Sequence, residues 1–155
     1  MLSISDEAAR EKSRLVALRL AILTLRLTEN WRRPFDDYDS AMILLAIAVI
    51  NGEKLTRTPL EPEYQNLAKA IPRDRLTSCN INSIAEATGI NRETARRKIN
   101  KLVAAGLVEK ADNGLINFAP GFSQRQEPFA IVRTQLETLS RITNELLRDE
   151  VLLSD

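Results

Sequence analysis

The chain has 155 residues, 44% of them apolar and 28% charged, with a formal net charge of +1. That suffices for one domain, or one compact unit with a helical extension, and for a core of ordinary size. With no histidine and one cysteine, the chain has no imidazole catalysis or imidazole metal site, no internal disulfide and no cysteine-based zinc cluster.

Residues 6–30 read as a long helix, because Leu15, Leu18, Ile22 and Leu25 recur at three- and four-residue spacing. Val16, Leu20, Leu23 and Leu27 widen the stripe, so the helix needs cover on more than one side. Pro34 interrupts it. Asp36, Asp37 and Asp39 then open a second helix that runs to Asn51 and stops at Gly52. Acids at a helix start fit capping and the backbone dipole better than a metal cluster, which would need the glycine and glutamate of a calcium loop. Residues 53–60 read as a polar connection, and Pro62 starts a short helix through Ala70 that Pro72 ends. Asn80-Ile81 reads as a brief extended segment. After a turn at Ala119-Pro120-Gly121, a last helix runs from about Pro128 to Leu153, with Phe129, Val132, Leu136, Leu139, Ile142 and Leu146 along it.

The passage between these helices carries the chemistry. Asn82 is expected to cap a short helix containing Ile84, Ala85 and Ala87, and Gly89 supplies the left-handed residue of a tight turn. Asn91 caps a second helix, 91–105, with Ala95, Ile99, Leu102 and Val103 as its buried face and Ile90 and Leu107 closing the core around it. Arg92, Glu93, Arg96, Arg97 and Asn100 then fall on the opposite face. Leu107 to Lys110 and Leu115 to Phe118 flank Ala111-Asp112-Asn113-Gly114, the signature of a β-hairpin. The fold class is therefore all-α with a small β-wing: a winged helix-turn-helix flanked by long N- and C-terminal helices. Its divisions are expected at 1–35, 36–121 and 122–155, with the outer two serving packing and dimerisation.

Such a helix suits the major groove of double-stranded DNA. Arg92, Arg96 and Arg97 carry forked donors for guanine, and Glu93 is an acceptor for cytosine, so these four are the expected base readers. Lys98, Lys101, Lys110 and Asn113 are expected at phosphates, together with Asn82 and Ser83 at the start of the first motif helix. Residues 73–110 have eight basic and four acidic groups, whereas 34–72 and 111–155 are each net acidic, so the positive charge concentrates on the motif.

The run from Gly89 to Leu107, above all Arg92-Glu93-Thr94 followed by Arg97, resembles the helix-turn-helix of Crp/Fnr-type winged-helix regulators. The resemblance implies base contacts by Arg92, Glu93 and Arg97 and a phosphate contact supported by Thr94. The N-terminal half has no glycine-rich β-roll, so no cyclic nucleotide is implied. Long helices before and after the motif are similar to MarR-type dimers. The expected protein is a homodimeric, DNA-binding transcription regulator without a cofactor and without enzymatic activity; a small-molecule effector is left open. Met1 leads into Asp6, Glu7, Arg10 and Glu11 with no apolar signal region, and Ala41 to Ile50 is too short to span a bilayer, so a cytoplasmic location is expected. The alternative is a winged helix that docks on protein. Cys79 reads as a small buried hydrophobe rather than a redox sensor.

Overall fold

The computed structural model describes every residue except Asp36, and its chain divides into two compact units. Residues 34–129 form one; residues 1–33 and 130–155 form the other. The architecture is mostly helical with two small antiparallel sheets, the fold class read from the sequence. Among the described residues no helix is long and apolar enough to cross a membrane.

The discontinuous unit begins with β1 (Leu2–Ile4), α1 (Asp6–Glu11) and α2 (Ser13–Arg32). The long helix of the sequence is thus broken at Lys12, whose φ of −99° and ψ of 19° leave the helical region, and it reaches two residues further than Asn30. The last helix, α7 (Gln126–Arg148), ends five residues before Leu153. The chain reverses through Glu150, at φ 59°, into β4 (Leu152–Ser154), which pairs with β1 in the register Leu2 with Ser154. Local periodicity carries no sign of that pairing, because its two strands lie at opposite ends of the chain. Ile142, Leu146 and Val151 form a small core with Ala8, Val16 and Leu23. Arg19, only 16% exposed, is paired with both Glu145 and Asp149, and Lys12 Nζ donates to the Asp149 carbonyl at 2.5 Å. The apolar stripes on the other sides stay open: Leu18 is 57% exposed, Leu25 66%, and Leu136 60%.

The continuous unit is built around α3 (Tyr38–Asn51), whose Ala41, Ile43, Leu44, Ala46 and Ile47 are all buried. Asp37 starts it, accepting the Ser40 N–H at 2.8 Å, and Asp39 lies in its first turn; Asp36 lies outside the described residues. Asp37 is therefore the cap of this helix, and Asp39 places a second negative charge at its start. Residues 53–60, expected as a connection, open with α4 (Glu53–Arg57), closed by a Glu53–Arg57 pair one turn apart. The helix expected over 62–70 is reduced to one 3-10 turn, Pro62–Tyr64. There the Gln65 side chain donates to the Leu60 carbonyl, and Asn66 Oδ1 accepts the Ala68 N–H at 2.9 Å. Side chains that satisfy nearby backbone groups compete with so short a helix.

Next come α5 (Ile81–Thr88), α6 (Arg92–Ala104), β2 (Val108–Lys110) and β3 (Ile116–Phe118). Ile84, Ala95, Ile99, Val108 and Ile116 complete one core with α3. Cys79 bridges to Ile116, adding a third short segment to the wing. Asn51, 4% exposed, is the polar pin of this core: its amide donates to the Thr77 carbonyl at 2.6 Å and to Asn117 Oδ1 at 3.3 Å. It fixes the end of α3 to the strand that carries the wing.

Candidate nucleic-acid interface

Two helices and a hairpin place the site. Asn80, not Asn82, caps α5: its Oδ1 accepts the Ser83 N–H, while Ser83 Oγ accepts the Asn80 N–H, both at 3.0 Å. The expected extended pair 80–81 is accordingly a cap and a first helical residue. Asn82 therefore lies exposed inside the first turn, and the Ser83 hydroxyl is committed to the reciprocal cap as donor and acceptor. The signal that finds this start is the Asn-x-x-Ser spacing, which the apolar pattern from Ile84 onward obscures.

Gly89 ends α5 at φ 70°, a conformation an L side chain enters only with strain, and this lets the chain turn sharply into α6. Asn91 caps α6 by accepting the Glu93 N–H at 2.9 Å. Ala95 and Ile99 are fully buried and Leu102 nearly so, which turns the opposite face outward. Val103 departs from the expected buried face and is 37% exposed, because it lies at the edge of that stripe.

On the outward face Arg92, Glu93, Arg96, Arg97 and Asn100 are all exposed. Arg96 forks onto Glu93, with Nε at 3.0 Å and Nη2 at 2.5 Å from the two carboxylate oxygens. The Arg96 guanidinium holds the Glu93 carboxyl below its ordinary range, and Arg97 adds to the effect. Neither Arg92 nor Arg97 joins an ion pair among the described residues. Thr94 is half-buried in the first turn of α6.

The expected phosphate contacts divide. Lys101 and Lys110 are exposed, the latter closing β2, and Asn113 sits exposed in the hairpin turn with Oδ1 accepting the Leu115 N–H at 3.1 Å. Lys98 does not join them. Its ammonium is 2.8 Å from Asp37 at the start of α3, and its side chain is 15% exposed. Burial works against the Asp37 charge, but hydrogen bonds from Lys98 and Ser40 outweigh it and lower its pKa. Lys98 thus clamps α6 to α3, an assignment invisible in sequence because its partner lies 61 positions away.

Cys79 is 2% exposed, and its thiol donates to the Ile116 carbonyl at 3.2 Å. Burial pushes its pKa up to about 11 from an ordinary value of 9.0. The neutral thiol is therefore the folded form, while the unfolded thiol ionises first. This contribution to stability is complete below pH 9 and is lost as pH rises toward 11. Modification by a disulfide reagent at pH 8 should be slow in the native protein and immediate in denaturant; equally fast reaction in both would contradict a buried, structural thiol.

Residues 73–118 match the family described as the DeoR-like helix-turn-helix domain. No curated protein and no solved structure matches the chain. The match covers less than a third of the sequence and spans α5, α6 and the wing. It supports a winged helix-turn-helix of the DNA-binding, transcription-regulating kind. It lends no support to the Crp/Fnr-type or MarR-type subtype that the sequence resembles.

Proposed function

We propose that the chain is a sequence-specific transcription regulator that lays α6 in the major groove of double-stranded DNA. The observation that carries this is the polar face of α6: Arg92, Glu93, Arg96, Arg97 and Asn100 point outward while Ala95, Ile99 and Leu102 anchor the other side. Arg92 and Arg97 are the primary base readers, each able to fork onto a guanine edge. Glu93 and Arg96 read as a pair, since the clamp between them fixes both side chains before DNA arrives. Asn82, Thr94, Lys101, Lys110 and Asn113 serve the phosphates, and Ser83 contributes by holding the start of α5 rather than through its hydroxyl.

The reading includes a homodimer. Leu15, Leu18, Ile22 and Leu25 on α2 repeat at intervals of three, four and three, as do Phe129, Val132, Leu136 and Leu139 on α7. All eight are at least 40% exposed, and this is the spacing of a helix–helix seam. Two copies would bring two recognition helices to half-sites about one DNA turn apart.

Selection of bound fragments from a random DNA pool tests both parts. The expected result is an enriched motif repeated in two-fold symmetry, with affinity that falls steeply as salt rises because neutralised phosphates release counterions. Absence of enrichment, with salt-insensitive binding, would instead favour a protein-docking module.

A further inference from the structure

The wing, α3, α4 and the loop before α5 line a half-open cleft of about 460 Å³, wholly within the unit of residues 34–129. Cavities of roughly 300–1,000 Å³ with apolar walls and a few placed polar groups are the usual form of a small-molecule site. Here Leu55, Tyr64, Ile71, Leu76 and Phe118 supply apolar wall. The charged lining residues are Lys69, Arg73 and Glu109, a net charge of +1.

Arg73 is ion-paired with Glu109 of β2, and its side chain remains 68% exposed. The loop that forms one wall is fastened in place. Gln124 Nε2 donates to the Leu67 carbonyl at 2.8 Å, and Arg75 lies 5.0 Å above the Tyr64 ring while pairing with Glu61.

We propose that this cavity binds a small apolar monocarboxylate, its carboxylate held by Arg73 in place of Glu109 and its body lying between Tyr64, Ile71 and Phe118. The charge balance selects the class. A cationic ligand meets Lys69 and Arg73, a neutral one leaves the excess positive charge unanswered, and a monoanion cancels it. A guanidinium forks onto a carboxylate with two parallel hydrogen bonds, which gives Arg73 the geometry for the exchange. Because Glu109 belongs to the wing, filling the cavity trades a bond that ties β2 to the 73–75 turn for one that ends on the ligand. An effect on DNA affinity rests on the function proposed above; binding to the cavity does not.

The test is calorimetric titration of the full chain, without DNA, using benzoate, 4-phenylbutyrate and octanoate, each beside its primary amide. At least one acid should saturate the protein and bind tenfold or more tightly than its amide. Arg73→Gln should erase that preference, and Glu109→Gln should tighten the acid several-fold by removing the competing carboxylate. Ala70→Trp, a substitution at an exposed loop position that fills the space, should abolish binding while leaving the circular dichroism spectrum unchanged. The assignment is overturned if no acid in the panel saturates the protein, if acid and amide bind alike, or if Arg73→Gln leaves the acid's affinity intact. A chain that takes the acid but ignores DNA would sink only the regulator reading, so the two failures are separable.

Discussion

Replacing Arg92 and Arg97 together by alanine should lower affinity for a selected operator by roughly 100-fold or more while leaving the fold intact. Each bidentate contact to guanine is worth about 1–3 kcal/mol, and every 1.4 kcal/mol is about tenfold. Both side chains are exposed and outside any ion pair among the described residues, so their removal takes no packing from the core. Arg97→Ala alone should relax the preference at one base position. Lys101→Ala should weaken all sequences alike and flatten the salt dependence by about one phosphate contact. Equal operator affinity for the double variant and the natural protein, measured by fluorescence anisotropy, would show that this face of α6 reads nothing.

The second large effect lies beneath the same helix. Ile99 is completely buried where α6 meets the core of α3, α5 and the wing, and Ile99→Ala should cost about 2–5 kcal/mol of stability. For a unit of this size, that is a large part of the usual margin of about 5–15 kcal/mol. The single tryptophan, Trp31, belongs to the other unit, so its fluorescence is the wrong probe. Urea unfolding should be followed by far-ultraviolet circular dichroism or by amide exchange of α6. A shift in midpoint corresponding to less than about 1 kcal/mol would mean that α6 is not packed as described.

Short-range physics made much of this legible in the sequence. The stripe of Ala95, Ile99 and Leu102, the cap at Asn91, the left-handed Gly89 and the Asn113-Gly114 turn each act within a few residues. Together they define α6, its exposed face and the hairpin. What escaped depends on distant partners. Lys98 looks like any surface lysine until Asp37 is beside it, and β4 looks like the tail of a helix until β1 pairs with it. The start of α5 is ambiguous by two residues in the sequence because Asn80 and Asn82 are both good caps; the hydroxyl of Ser83, three positions after Asn80, decides between them. The cavity behind the wing had no local signature, since its walls come from stretches between Ala48 and Gln124 that only folding assembles.

The helical unit around α2 and α7 has an inverted distribution of oil and charge. Its interior seam relies on the Arg19, Glu145 and Asp149 cluster and a handful of aliphatic side chains, while a series of leucines faces water. Under the homodimer proposed above, a lone copy is an incomplete object, and dilution is a stress on it. On that proposal the melting temperature should climb with protein concentration across the micromolar range, by mass action; a melting temperature independent of concentration would count against the dimer.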